Sequence, residues 1–147
     1  MSATDTPTLR VYLIDDDPDH TLIIRRAIKE AAPHTEVRAL DDGPKALTAL
    51  RSELPLPDLI LLDINMPGLS GFEVLAQVKS DPQLRKIPVV MLTSSALGAD
   101  VARAYELGAS GYISKPSYLH DVRAVLGNTL LYWSAMQRAT ASEGAAP

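Results

Sequence analysis

Five short apolar runs, separated by stretches with helical periodicity, constrain the fold of this chain more than any other feature of its sequence. Two of the runs, Leu59–Leu62 and Val89–Leu92, contain no polar residue, as is typical of strands that are covered on both faces in a parallel sheet. The remaining predicted strands are Leu9–Ile14, Glu36–Leu40 and Gly111–Ser114. Because parallel strands must be joined by crossover connections, the alternation predicts consecutive βα units.

The first three intervals between strands carry the N-terminal signals of helices. Pro18 follows Asp17 at a first helical position, where proline is favoured. Gly43 begins the second helix, and Ser70 with Glu73 matches a capping box for the third. The apolar residues predicted to face the core from the first helix are Leu22, Ile23, Ala27, Ile28 and Ala31.

Two further helices complete the pattern. The fourth is predicted from about Ala99 to Gly108, a residue type favoured at helix C-termini, and the fifth from near Ser117 to about Arg138. These elements indicate an α/β fold with a doubly wound, five-stranded parallel sheet and five helices, in one domain over residues 9–138. Residues 1–8 and 139–147 are small and polar, and they are predicted to be flexible tails.

The composition narrows the classes of function. The 147 residues include no cysteine, which excludes thiol catalysis, zinc–thiolate sites and a disulfide framework. The net charge of −4 gives no indication of a nucleic-acid partner or an anionic membrane surface. The N-terminal residues lack the pattern of a signal peptide, and no apolar run approaches the roughly 18 residues that cross a bilayer. We therefore expect a cytoplasmic protein.

Polar residues follow the ends of four predicted strands. Asp15 and Asp16 follow the first, Asp63 the third, Thr93 the fourth and Lys115 the fifth. Ligands of such sheets bind beyond the carboxyl ends of the strands, so these side chains are predicted to meet at one rim. Three carboxylates repel one another unless a cation lies among them, and hard oxygen ligands suit Mg²⁺. Lys115 and the hydroxyl of Thr93 on the same rim indicate that an anion binds beside the metal. The expected anion is a phosphoryl group.

The segments "LIDDD", "LILLDINMPGLSG", "VVMLTSS" and "YISKP" together resemble the receiver domain of two-component response regulators. The resemblance extends from Leu9 to about Leu130. It implies a flavodoxin-like fold with strand order 2-1-3-4-5. It also implies that Asp63 is a phosphoacceptor, whose carboxylate takes a phosphoryl group from the phosphohistidine of a sensor histidine kinase.

The same resemblance assigns the metal ligands. Asp16 and Asp63 would bind Mg²⁺ directly, together with the backbone carbonyl of Asn65, and Asp15 would assist through a water molecule. The metal would neutralise the carboxylates and hold the transferring phosphoryl oxygens.

The resemblance also implies a switch. Lys115 would pair with the phosphoryl group, and Thr93 would donate its hydroxyl to it after phosphorylation. Tyr112 occupies the aromatic position that responds to the movement of this threonine. The protein would then signal through a changed protein-binding surface, toward a downstream partner that the sequence does not identify.

The C-terminal stretch "NTLLYWSAMQR" extends the last helix and places four large apolar residues in succession from Leu130 to Trp133. We expect Leu130, Tyr132 and Trp133 to form an interface, because aromatic residues are enriched at interface cores. Partial packing of these residues on the domain's own core is the alternative. This ending is similar to that of single-domain regulators paired with phytochrome-type histidine kinases, a similarity that implies a homodimer. Only nine residues follow Arg138, so no DNA-binding output domain is expected.

Two other functions compete with this interpretation. A Mg²⁺-dependent phosphohydrolase of the haloacid dehalogenase type also uses an aspartate nucleophile at the end of a strand, but it requires a second acid where this chain has Asn65. A degenerate receiver would act only as an interaction platform and usually lacks an acidic or phosphoacceptor residue, whereas none is missing here.

Overall fold

The structure is a computed structural model, and it describes residues 9–94, 97–114 and 124–136. Its five parallel strands lie in the order β2-β1-β3-β4-β5, which confirms the predicted flavodoxin-like topology. The strands are β1 Arg10–Ile14, β2 Glu36–Leu40, β3 Leu59–Leu62, β4 Val89–Thr93 and β5 Gly111–Ser114. The predicted tails, residues 1–8 and 139–147, lie outside the described residues.

Helices follow each of the first four strands, and a further helical segment closes the described chain. They are α1 Pro18–Ala31, α2 Gly43–Ser52, α3 Gly71–Ser80, α4 Gly98–Glu106 and α5, residues 124–136. The start of α5 that was predicted near Ser117 lies outside the described residues. None of the described helices is long and apolar enough to span a membrane.

Side-chain caps explain where the first three helices begin. The Asp17 carboxylate accepts hydrogen bonds from the backbone N–H groups of Asp19 and His20, and Pro18 is the first residue of α1. Asp42 caps α2 in the same way through the N–H of Lys45, and the Ser70 hydroxyl accepts a hydrogen bond from the N–H of Glu73, the third residue of α3. These bonds satisfy N–H groups that have no partner within a helix.

The sheet separates two apolar clusters, and successive residues of its strands enter them alternately. On β3, Ile60 and Leu62 pack with α2, α3 and α4, whereas Leu59 and Leu61 pack with α1 and α5. All four side chains are fully buried, which explains why the sequence of this strand contains no polar residue. A strand held from both sides is a rigid base for the residue that follows it.

The structure corrects the predicted inner face of α1. Ile24, Ala27 and Ile28 are its buried residues, while Leu22 is 49% exposed and Ile23 is 37% exposed. Three consecutive apolar residues cannot all face the sheet, because each is turned by about 100° from the last. The sheet selects Ile24 and leaves the side chains of Leu22 and Ile23 at the surface. Ala31, which was also predicted to face the core, is exposed as well.

Candidate functional site

The register of the parallel strands brings the predicted acidic residues together. Ile14 pairs with Leu62, so Asp15 and Asp63 each lie one residue beyond a paired position. The N–H of Asp63 donates to the carbonyl of Ile14 over 2.9 Å, and the N–H of Asp15 donates to the carbonyl of Leu40 over 3.1 Å. The two aspartates therefore extend the sheet at its carboxyl edge.

The carboxylates of Asp15, Asp16 and Asp63 form one cluster. Each offers an oxygen atom, and these atoms all lie within 4.8 Å of one another. Asp15 is 3% exposed and Asp63 is 6% exposed, so solvent screens their mutual repulsion poorly. A hard divalent cation that accepts carboxylate oxygens relieves this repulsion, and the donor set of the cluster fits such an ion.

Hydrogen bonds also orient the first acid of this cluster. The N–H of Asp17 donates to Oδ1 of Asp15 over 3.0 Å, while Asp17 itself caps α1. Asp17 therefore serves as a helix cap, while the neighbouring carboxylates of Asp15 and Asp16 lie in the acidic cluster.

The loop after Asp63 is held by one carbonyl group. The carbonyl of Ile64 accepts hydrogen bonds from the N–H of Met66 over 3.1 Å and from the N–H of Gly71 over 2.9 Å. Between them the chain turns through Gly68 with a φ of 78°, a conformation that favours glycine. Asn65 lies exposed at the start of this turn, next to the acidic cluster in the chain.

Thr93 and Tyr112 lie on the adjacent strands β4 and β5, with Tyr112 two positions further from the carboxyl edge. Thr93 ends β4, is fully buried and pairs with Ser114. Tyr112 lies on β5 opposite Met91 and packs, half-buried, against the cluster that contains α2, α3 and α4. Lys115, the residue after Ser114, lies outside the described residues.

An ion pair beside the acidic cluster was not predicted from the sequence. Nζ of Lys45 donates to Oδ1 of Asp41 over 2.9 Å, and both residues line the same groove as Asp15 and Asp16. The hydrogen bond from Lys45 lowers the pKa of the Asp41 carboxyl. The i,i+4 spacing of the two residues was the signal that could have revealed the pair.

The residues of the predicted C-terminal interface differ in their exposure. Leu130 is 1% exposed and belongs to the cluster beneath α1, so its side chain is not available to an interface, contrary to the prediction. Tyr132 is 57% exposed and meets Trp133 edge to face, with ring centroids 4.9 Å apart. Trp133 is partly buried against the core. Four consecutive residues point in different directions around a helix. Because only one side of α5 faces the sheet, they cannot all be buried.

Comparison with known protein families gives a match over most of the chain. Residues 11–126 match the family model described as the response regulator receiver domain. The matched range contains the acidic cluster, the loop after Asp63, Thr93 and Tyr112.

Individual relatives and solved structures agree with this match. The response regulator Rcp1 of Synechocystis sp. is 33% identical over 138 residues, which cover 90% of this chain and 94% of the relative. A crystal structure of phosphorylated RcpA, a cyanobacterial phytochrome response regulator, is 34% identical, with a TM-score of 0.81 over 86% of this chain and 94% of that chain. The Mn²⁺-bound form of Rcp1 is 33% identical, with a TM-score of 0.78 over 86% of this chain and 94% of that one.

Proposed function

Because the chain belongs to the response regulator receiver family, we propose that Asp63 accepts a phosphoryl group from the phosphohistidine of a sensor histidine kinase. One observation carries this proposal: three carboxylates lie with oxygen atoms within 4.8 Å at the carboxyl edge of the sheet. Among them, Asp63 follows a strand that is buried on both faces.

The reaction uses the Asp63 carboxylate as the nucleophile. A carboxylate oxygen attacks phosphorus, the bond from phosphorus to the imidazole nitrogen breaks, and the electron pair of that bond returns to the nitrogen. An acyl phosphate forms on Asp63, and histidine leaves in its neutral form because the other ring nitrogen of the phosphohistidine carries a proton. The burial of β3 supports this role, because it limits movement of the attacking group.

Asp16, Asp63 and the carbonyl of Asn65 would hold Mg²⁺, with Asp15 acting through a water molecule. The bound ion supplies positive charge that offsets the carboxylates and the phosphoryl oxygens. The buried position of Asp15, at 3% exposed, and its hydrogen bond from Asp17 support its place in this set.

Thr93, Lys115 and Tyr112 would convert phosphorylation into a signal. The Thr93 hydroxyl donates to the new phosphoryl group, Lys115 pairs with its charge, and Tyr112 turns inward. The half-buried position of Tyr112 beside β4 supports a ring that exchanges between two environments. Such exchange shifts a population between two binding surfaces.

The partners follow from the family and from the surface of α5. A histidine kinase is the phosphodonor, and the similarity to RcpA supports a phytochrome-type kinase. Because such a kinase uses ATP, the exchange takes place in the cytoplasm. Tyr132 and Trp133, together with exposed Leu131 and Met136, would form the interface of a homodimer. The signal then passes to a downstream protein through contacts on the receiver itself.

Neither competing function is favoured. A dehalogenase-type phosphohydrolase needs a second acid at the position of Asn65, and the chain matches the receiver family instead. Apart from phosphorylation and loss of phosphate at its own Asp63, we propose no catalytic activity. A degenerate receiver is disfavoured because all three acids are present and clustered.

Phosphorylation by acetyl phosphate tests the assignment. Incubation of the protein with acetyl phosphate and Mg²⁺ should add the mass of one phosphoryl group, and alkali should remove it. Asp63→Asn should gain no mass, whereas Asp19→Asn, an exposed acid on α1, should behave as the parent protein. Equal labelling of Asp63→Asn would contradict the proposal, and sustained turnover of phosphomonoesters would favour the phosphohydrolase.

Sedimentation tests the homodimer separately. Tyr132→Glu should lower the dimer fraction, because it places a charge in the exposed apolar surface of α5. Glu106→Gln on α4 provides an exposed control. A sedimentation coefficient that is unchanged by Tyr132→Glu would contradict the interface.

A further inference from the structure

A large groove lies between α1 and β2. Its volume is about 1120 Å³, and Asp15 and Asp16 are among the residues that line it. Val37 and Ala39 of β2 form part of its floor, and Leu22 forms part of the α1 wall. The proposed phosphorylation chemistry occupies the acidic end of this groove and leaves the rest of its length unexplained.

The α1 wall carries three exposed cations. Arg25, Arg26 and Lys29 line the groove, and none of the ion pairs formed among the described residues includes them. Arg25 and Lys29 are four positions apart and therefore lie on one side of the helix. On the opposite wall, the pKa of Lys45 is raised because its ammonium group is already hydrogen-bonded to Asp41. Glu30 also lines the groove from α1, but it already has an interaction of its own. The available positive charge is thus that of Arg25, Arg26 and Lys29.

The floor of the groove is the edge of the sheet. Within the described part of the chain, β2 pairs with β1 alone, so its other side carries backbone groups that can pair with an added strand. The neighbouring Leu22 side chain is 49% exposed. An apolar side chain, a strand edge and a row of cations therefore share one concave surface.

We propose that the groove binds an extended, acidic segment of a partner protein. Its carboxylates contact Arg25 and Lys29, and its alternate aliphatic side chains cover Leu22 and Val37. The backbone of the segment adds to the free edge of β2, as in other cases of strand addition. The acidic residues of the segment lie away from Asp15 and Asp16, which repel them.

The charges of the groove distinguish this occupant from other polyanions. A nucleic acid carries negative charge along its whole length, so Glu30 on α1 and the acids Asp15, Asp16 and Asp41 at one end of the groove would repel it. A membrane surface is broad, whereas the floor of this groove lies between a helix and a strand. The contacts are made on α1 and β2, so binding does not depend on phosphorylation of Asp63.

Peptide selection tests the proposal. Random short peptides displayed on phage are selected on the immobilised full chain, and we expect enrichment of Asp and Glu interleaved with Val, Ile or Leu. Arg25→Glu/Lys29→Glu should bind a synthetic copy of the selected peptide at least about tenfold more weakly, because two attractions become repulsions. Arg85→Glu/Lys86→Glu, two exposed cations outside the groove, should bind as the parent protein does.

Backbone amide shifts locate the bound peptide. On titration with the selected peptide, we expect the largest changes along α1 and β2, and weaker binding at higher salt. Circular dichroism should show the native fold in both charge-reversal variants. Failure to enrich acidic peptides, equal binding by the groove variant, or shifts on other elements would overturn the proposal. Binding of phosphatidylglycerol vesicles or single-stranded RNA that depends on Arg25 and Lys29 would replace it with a different partner.

Discussion

Gly71 lies directly against the backbone of Asp63. A Cβ atom on Gly71 would stand 2.1 Å from the carbonyl oxygen of Asp63 and 2.7 Å from Cα of Ile64. The N–H of Gly71 also donates to the carbonyl of Ile64. The first residue of α3 thus packs against the peptide group that follows the proposed phosphoacceptor, so the position of one constrains the position of the other.

Gly71→Ala should lower both stability and phosphorylation. The added methyl group meets backbone rather than a flexible side chain, so the loop after Asp63 must shift. Overpacking of this kind costs about 1–3 kcal/mol, and urea unfolding measures it. The rate of labelling by acetyl phosphate should fall in parallel. Gly98→Ala is the matched control, because among the described residues no atom beyond its chain neighbours and its own helix backbone lies within 4 Å of the added Cβ. A similar loss in that variant would contradict the role of Gly71.

Asp16→Asn should remove the response of the protein to Mg²⁺. A ligand that binds only the folded state stabilises it by mass action, so Mg²⁺ should raise the melting temperature of the parent protein. Without metal, Asp16→Asn should melt at the same temperature as the parent or higher, because one of three clustered negative charges is gone. Differential scanning fluorimetry with and without Mg²⁺ measures both effects.

Asp19→Asn is the control for this metal test, because it removes a neighbouring exposed carboxylate outside the cluster. It should keep the full Mg²⁺ response. An Asp16→Asn protein that Mg²⁺ stabilises as strongly as the parent would show that the ion binds elsewhere.

Thr93→Val should separate phosphorylation from the response of Tyr112. Valine matches the shape of threonine but lacks the hydroxyl that the switch requires. We expect labelling of Asp63 to continue, while the ring resonances of Tyr112 no longer change on addition of beryllofluoride. NMR of the aromatic side chains measures this response, and Thr48→Val, at an exposed position of α2, should retain it. A Tyr112 response that persists in Thr93→Val would rule out the proposed coupling.

Leu130→Ala and Leu131→Ala should differ greatly in their effect on stability, although the residues are adjacent. Leu130 is 1% exposed and Leu131 is 66% exposed. Removal of the buried side chain should cost about 2–5 kcal/mol, whereas the exposed substitution should change the free energy of unfolding by less than about 0.5 kcal/mol. Urea unfolding at a protein concentration below that of dimer formation compares them. Equal losses would mean that α5 packs with a different face inward.

Much of the fold was predictable because local signals agreed with one another. The continuous apolar strands Leu59–Leu62 and Val89–Leu92 indicated burial on both faces, and the caps at Asp17 and Ser70 marked the starts of helices. Parallel strands then required that Asp15 and Asp63 share an edge. The acidic cluster was predictable for the same reason, since topology alone brings the ends of parallel strands together.

The faces of two helices could not be predicted. The sequence offered Leu22, Ile23 and Ile24 as consecutive apolar residues, and likewise the run from Leu130 to Trp133. Helical periodicity fixes the angles between such residues but not which of them meets the sheet. That choice depends on how α1 and α5 pack on the same cluster, which places Ile24 and Leu130 inside.

The sequence by itself determined the order of strands and helices, the family and the clustering of Asp15, Asp16 and Asp63, because these depend on local patterns and on the ends of strands. Only the tertiary structure decided the tight contact of Gly71 with Asp63, the burial of Leu130 and the groove between Leu22 and β2. Each of these depends on the distance between elements that are separate in the chain, and such distances are set by packing.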